Sequence, residues 1–109
     1  MTKSYKLFNS ESDIQNAIPL GSKKMVRIGE KRVCIINHDS GFKVFDNLCP
    51  HNGHSLLEGE VNYLGEVVCP LHGYRFNLKN GKEGDSRCQD LTIHQIDITN
   101  SGVFLRLIM

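Results

Sequence analysis

Two short segments constrain this chain more than anything else in it: Cys49-Pro50-His51 and Cys69-Pro70-Leu71-His72. Each supplies one thiol and one imidazole, and seventeen residues separate His51 from Cys69. A metal site needs ligands projected from loops rather than from flat strands, and both segments read as turns that follow a strand, at 43–48 and 66–68. Gly53 and Gly73 lie just past the histidines, where glycine lets the backbone approach a bound group closely. The pair therefore predicts two fingers closing on one centre. Two thiolates and two imidazoles suit a tetrahedral zinc ion. They suit equally a two-iron cluster with cysteine on one iron and histidine on the other.

The rest of the chain has to carry those loops, and its pattern is β. Strands are predicted at 5–8, 25–28, 32–37, 42–45, 66–68, 74–77, 91–98 and 103–108. Gly29-Glu30-Lys31, Asp39-Ser40-Gly41, Asn80-Gly81 and Asn100-Ser101-Gly102 read as turns between them. One helix is expected, capped by Ser10 and limited to about two turns by Pro19 and Gly21. The inward face of 91–98 is not clear-cut, because both alternating sets mix apolar and polar side chains. Many short strands at close spacing predict an all-β, antiparallel sandwich or barrel. With 109 residues and no linker or repeat, one domain over 1–109 is expected, its binding loops spanning about 46–78. Such a core is small, so a further cross-link would help it.

Charge narrows the function. Thirteen Lys+Arg against twelve Asp+Glu leave a net charge of +1, which argues against nucleic acid and an anionic membrane surface. No apolar run approaches the roughly 20 residues of a membrane helix. The start, MTKSYKLFNSESD, has no apolar signal-peptide core, so a cytoplasmic protein is expected. In that compartment four cysteines point to metal or redox chemistry rather than to disulfides.

Structural zinc sites usually space paired ligands as C-x2–4-C or H-x3–5-H, whereas both pairs here mix ligand types. The full pattern, C-x-H-x17-C-x2-H, resembles the binding motif of Rieske iron–sulfur proteins. Its flanks do too: Asn47-Leu48-Cys49-Pro50-His51 with Leu56-Leu57-Glu58-Gly59, then Cys69 through Asn77 and Asn80-Gly81-Lys82. The resemblance implies a 2Fe-2S cluster with Cys49 and Cys69 on the inner iron and His51 and His72 on the outer, exposed one. Neutral imidazoles leave such a cluster less negative than all-cysteine ligation does. That raises its potential from about −400 mV to somewhere within roughly −150 to +300 mV. High-potential members carry an extra cysteine in each loop, where this chain has His54 and Leu71. They also place Ser and Tyr hydroxyls on cluster sulfur, where this chain has Tyr74 and Phe76. Fewer donors to sulfur imply the low-potential end of the range. Because imidazoles titrate, reduction is expected to couple to proton uptake at high pH.

By the same resemblance the chain is a ferredoxin and not itself an enzyme. A flavin-dependent reductase would supply its electrons, a terminal oxygenase or similar oxidoreductase would accept them, and a monomer is expected. The alternatives are a small subunit of a nitrite-reductase-type enzyme, a docking subunit that keeps its ligands, and a structural zinc module using the same four residues. Cys34, in an apolar strand, reads as an inert buried thiol and Cys88 as structural; a disulfide between them is the alternative. His38 and His94 read as strand-face or surface residues, and His54 as a bystander that shares the first loop. Lys23-Lys24, Glu58 and Glu60 read as solvated turns, or as charges that steer a partner. Many relatives cover the cluster with a proline-containing loop. Ser86-Arg87-Cys88-Gln89-Asp90 has no proline, so a more mobile cover is expected.

Overall fold

Val33, Cys34, Ile35 and Ile36 are all buried, and such an unbroken apolar run marks a strand packed on both faces. The computed structural model describes residues 2–39 and 41–108. The elements run β1 (Thr2–Phe8), α1 (Glu11–Ala17), β2 (Lys23–Ile28), β3 (Lys31–His38) and β4 (Gly41–Asp46). A 3-10 turn at Leu56–Glu58, β5 (Glu66–Val68), β6 (Arg75–Asn77), β7 (Ile93–Thr99) and β8 (Gly102–Ile108) follow. Six strands form one antiparallel sheet in the order β1-β8-β7-β4-β3-β2, and β5 with β6 forms a separate two-stranded ribbon.

The run on β3 divides two cores. Cys34 and Ile36 face one, with Phe45, Leu56, Val67, Phe76, Leu78, Leu91, Cys49 and Cys69. Val33 and Ile35 face the other, with Val44, Ile14, Ile18, Val103, Leu105 and Leu107. Alternation along β3 and β4 thus ties the sheet to the loops on one side and to α1 and β8 on the other. The all-β architecture is as expected, and the sheet curls because β7 changes partner. Ile93 and His94 pair with β4, while Gln95–Thr99 pair with β8. That switch is why no single inward face was readable over 91–98. Leu91 and Thr92 lie outside the strand.

Ser10 caps α1 as predicted, its hydroxyl accepting from the Asp13 N–H at 3.2 Å. The hairpin between β2 and β3 closes through Gly29 and Glu30, so Lys31 belongs to the strand. Ser40, in the middle of the turn predicted at Asp39-Ser40-Gly41, lies outside the described residues. Lys23 and Lys24 are not a turn: both stand on β2, and the Lys23 ammonium donates to the Gly59 carbonyl. His94 is buried. Its Nδ1 accepts from the Ile108 N–H at 2.9 Å, so Nε2 carries the proton it donates to Asp46 at 2.7 Å. Asp46 also pairs with Lys31 at 2.9 Å. Burial alone would raise the Asp46 pKa, but the bonds from His94 and Lys31 outweigh it and hold the carboxyl below its ordinary value. Among the described residues no helix is long and apolar enough to cross a membrane.

Candidate metal centre

The two Cys–His segments form matching turns. Cys49 donates its N–H to the His54 carbonyl at 2.8 Å and accepts from the Gly53 N–H at 2.7 Å. Cys69 does the same with Tyr74 at 2.8 Å and Gly73 at 2.9 Å. Each loop therefore closes on the fourth and fifth residues after its cysteine. Gly53 and Gly73, at φ of 74° and 73°, supply the left-handed conformation that the closure requires. In this register His54 matches Tyr74 and not His72. It closes the first turn with its backbone, and its ring turns toward Glu58 at 3.9 Å.

Asparagines hold the first loop from beneath. Asn47 is buried, and its Oδ1 accepts from the Leu57 N–H at 3.1 Å and the Ser55 hydroxyl at 3.2 Å. The Asn47 carbonyl also accepts from the Leu56 N–H at 2.7 Å. Asn52 tightens the tip, its Oδ1 accepting from the His54 N–H at 2.8 Å, and its amide nitrogen lies 3.9 Å from the Cys69 sulfur. Asn62, Asn77 and Asn80 build turns the same way, each accepting from the N–H two residues on. Asn80-Gly81 reads as a turn in the sequence and Asn47 and Asn77 as flanks of the motif, whereas Asn52 and Asn62 carry no such expectation. The Asn-x-x signal was there to be read.

Burial separates the four predicted ligands into two kinds. Cys49 is 2% exposed and Cys69 0%, both within the core that contains Phe76 and Val67. His51 and His72 are exposed, with ring centroids 5.3 Å apart. Burial pushes the Cys49 thiol above its ordinary pKa and its neighbour Cys69 adds to that, while backbone N–H groups of His51 and Asn52 pull it down. Removing a proton from so buried a pair needs compensating positive charge, which a metal supplies. The donor set fits a two-iron group: soft thiolates inside, imidazoles at the surface. Among the described residues no three His, Cys, Asp or Glu side chains converge on a point that one ion can fill.

His51 is not isolated at the surface. Tyr74, from the second loop, stacks on it at 4.0 Å between centroids and 15° between planes. The Arg87 guanidinium carbon lies 3.9 Å from the Tyr74 ring centroid. Arg87 in turn forks onto Glu83, Nε to Oε1 at 3.0 Å and Nη2 to Oε2 at 2.6 Å. The Glu83 carboxylate has no exposed side-chain surface, and it accepts from the N–H groups of Arg75, Asp85 and Arg87 as well. So the loop over the site, expected to be mobile without proline, is organised around a buried carboxylate. The sequence over 82–87 is Lys-Glu-Gly-Asp-Ser-Arg, and nothing in such a composition distinguishes a buried glutamate from a solvated one.

The remaining cysteines lie close by without belonging to either turn: Cys34 shares the core of Cys49 and Cys69, and Cys88 packs against it. All four cysteines are free; Cys34 is buried in β3, where burial pushes its thiol up to about 11, against the pull of Lys23. Cys88 is half-buried, within 3.4 Å of the Gln89 carbonyl. His38 ends β3, and His94 serves the Asp46 network.

Residues 9–95 match the family described as Rieske [2Fe-2S] domain. The ferredoxin component of an alkene monooxygenase system from Xanthobacter autotrophicus is 31% identical over 62 residues, 57% of this chain and 51% of that one. The ferredoxin component of the naphthalene 1,2-dioxygenase/salicylate 5-hydroxylase systems of a Ralstonia species is 28% identical over 94 residues, 83% of this chain and 86% of that one. The chain thus spans about half the length of the Xanthobacter relative and most of the Ralstonia one, but only 20% of the carnitine monooxygenase oxygenase subunit of Acinetobacter baumannii, to which it is 43% identical over 76 residues. Among solved structures, the ferredoxin of carbazole 1,9a-dioxygenase from Nocardioides aromaticivorans superposes with a TM-score of 0.76 at 17% identity, covering 95% of this chain and 96% of that one. A Mycobacterium tuberculosis chain described as an NADH-dependent nitrite reductase small subunit gives 0.79 at 16% identity, covering 100% and 98%. At such identities the likeness shows the fold alone.

Proposed function

The chain belongs to the Rieske iron–sulfur domain family, and from that premise we propose that it is a ferredoxin carrying single electrons from a reductase to a terminal oxygenase or similar oxidoreductase. The observation that carries this reading is the gradient across the two loops, from buried thiols to exposed imidazoles. In it Cys49 and Cys69 would hold one iron of a 2Fe-2S cluster, and His51 and His72 the other. When bound, such a cluster takes up one electron and gives it back. The protein's part is to keep water from the sulfur side, which Leu56, Val67 and Phe76 do, and to present His51 and His72 at the surface.

Those imidazole edges are then the short route between the interior and a docked partner. Leu48, beside Cys49, and Leu71, beside His72, are 51% and 53% exposed, and they offer apolar contact where a partner would sit. We assign the whole of 1–109 to this one domain, with loops 46–78 as its binding part, working as a monomer in the cytoplasm. A flavin-dependent reductase is the donor class. Phe76 is buried and has no hydroxyl, and the Tyr74 ring is committed to His51, so the potential belongs at the low end.

An equilibrium redox titration tests the carrier role. One electron per chain, taken up reversibly with a midpoint near the lower end of roughly −150 to +300 mV, is expected. A protein that takes up no electron, or that titrates at a clearly positive midpoint, contradicts the reading.

A further inference from the structure

We propose that Arg87, acting through Tyr74, is a positioning and tuning residue for His51: it holds the imidazole in place and raises the reduction potential. The inference rests on the carrier reading above and extends it to residues outside the ligand set.

The geometry is a column of four side chains from three segments. Glu83 anchors Arg87 through two hydrogen bonds, Arg87 covers one face of Tyr74 at 3.9 Å, and Tyr74 stacks on His51 at 4.0 Å. The Asn52 amide nitrogen lies 3.3 Å from His51 Nδ1, and His72 meets the ring edge-on at 68°, but only Tyr74 lies flat against it. An exposed imidazole on a loop that turns at a glycine has rotational freedom, and flat stacking removes it. The column also links the first loop to the second and to the segment beyond β6, independently of any bound group.

Its electrostatics have a direction. The guanidinium stands between Tyr74 and Glu83, so the positive end of the ion pair points toward His51 and the negative end away from it. Burial keeps Glu83 in that place: its carboxylate is enclosed, with three backbone N–H donors behind the fork. A bound cluster would become more negative on reduction, and a nearby positive end would favour that form over the oxidised one. The Arg87 side chain is 37% exposed, so salt screens part of the effect. Cation–π attraction over the ring adds to the hold on Tyr74.

The test uses the purified, cluster-loaded protein and reads its midpoint potential and the paramagnetic signal of its reduced form. Arg87→Gln alone would strand the buried Glu83 charge, so the informative variant is Glu83→Gln/Arg87→Gln, which removes the oriented pair and leaves no net charge behind. It is expected to keep iron and sulfide, to titrate below the wild type, and to lose part of that difference in high salt. Arg87→Lys, which keeps the charge, is expected to titrate between the two. Tyr74→Leu leaves the ion pair intact and breaks both stacks. It is expected to lower the midpoint and to shift the reduced-state signal, while Tyr74→Phe stays at the wild-type values. Should the double variant fail to load, Tyr74→Leu carries the test. A loaded variant of either kind with wild-type midpoint and wild-type signal overturns the proposal. A wild type that holds no iron or sulfide overturns the carrier reading itself, and this inference falls with it.

Discussion

His51 and His54 are three residues apart on one loop, and only their places in the turn distinguish them. His51 lies inside the closure made by Cys49, against Tyr74, whereas the backbone of His54 completes the closure and its ring turns to Glu58. Replacing His51 or His72 by Ala is therefore expected to abolish the cluster, and His54→Ala to leave iron and sulfide at wild-type content. Retention in His51→Ala together with loss in His54→Ala would reverse the assignment. Gly59 shows the same dependence on position in the backbone itself. Its φ is unremarkable, but a Cβ there would meet the Val68 carbonyl oxygen at 2.2 Å, just before Cys69. Backbone cannot yield as a side-chain tip does. Gly59→Ala is expected to destabilise the fold by about 1–3 kcal/mol in a denaturant titration, and an unchanged midpoint would show that the loop opens freely.

The strands were readable because alternation and glycine turns mark them. Glu66–Val68 falls where predicted, and β3 declared itself by an apolar run that packs on two sides. So were the four ligand candidates, since a Cys–His pair in a turn is a chemical signature. What escaped were features made by tertiary contact. β7 mixes its faces because it serves two partners, and Glu83 looks like any charged loop residue until the fold closes over it. Glu83 then gives the covering loop a pH dependence. The side-chain bonds from Arg87 hold its carboxyl well below the usual carboxylate range, against burial, with backbone N–H groups of Arg87, Asp85 and Arg75 helping. A depressed folded pKa stabilises the fold above the unfolded-state value of about 4.3, and that contribution is lost as pH falls below it. Glu83→Gln is thus expected to be less stable than wild type at neutral pH, with the gap narrowing below about pH 4. Denaturant titrations of both proteins across that range check it; a gap that does not change with pH would contradict it.

At the scale of the molecule, the two cores meet along β3, and only the one that includes Cys49 and Cys69 reaches the loops. A domain of this size buries a modest share of its surface, so a group that ties both loops through the interior adds a cross-link the chain otherwise lacks. Net charge, close to zero, argues against nucleic acid but does not name the redox partner. The local chemistry says more: apolar Leu48 and Leu71 beside exposed imidazoles, over thiols that water does not reach. All of it rests on what the four donors hold. The most direct measurement is the iron, acid-labile sulfide and zinc content of the protein purified in air, with the paramagnetic spectrum of its reduced form. About two iron and two sulfide per chain, with a signal that appears only on reduction, is the predicted result; colourless protein with one zinc and no sulfide would contradict it.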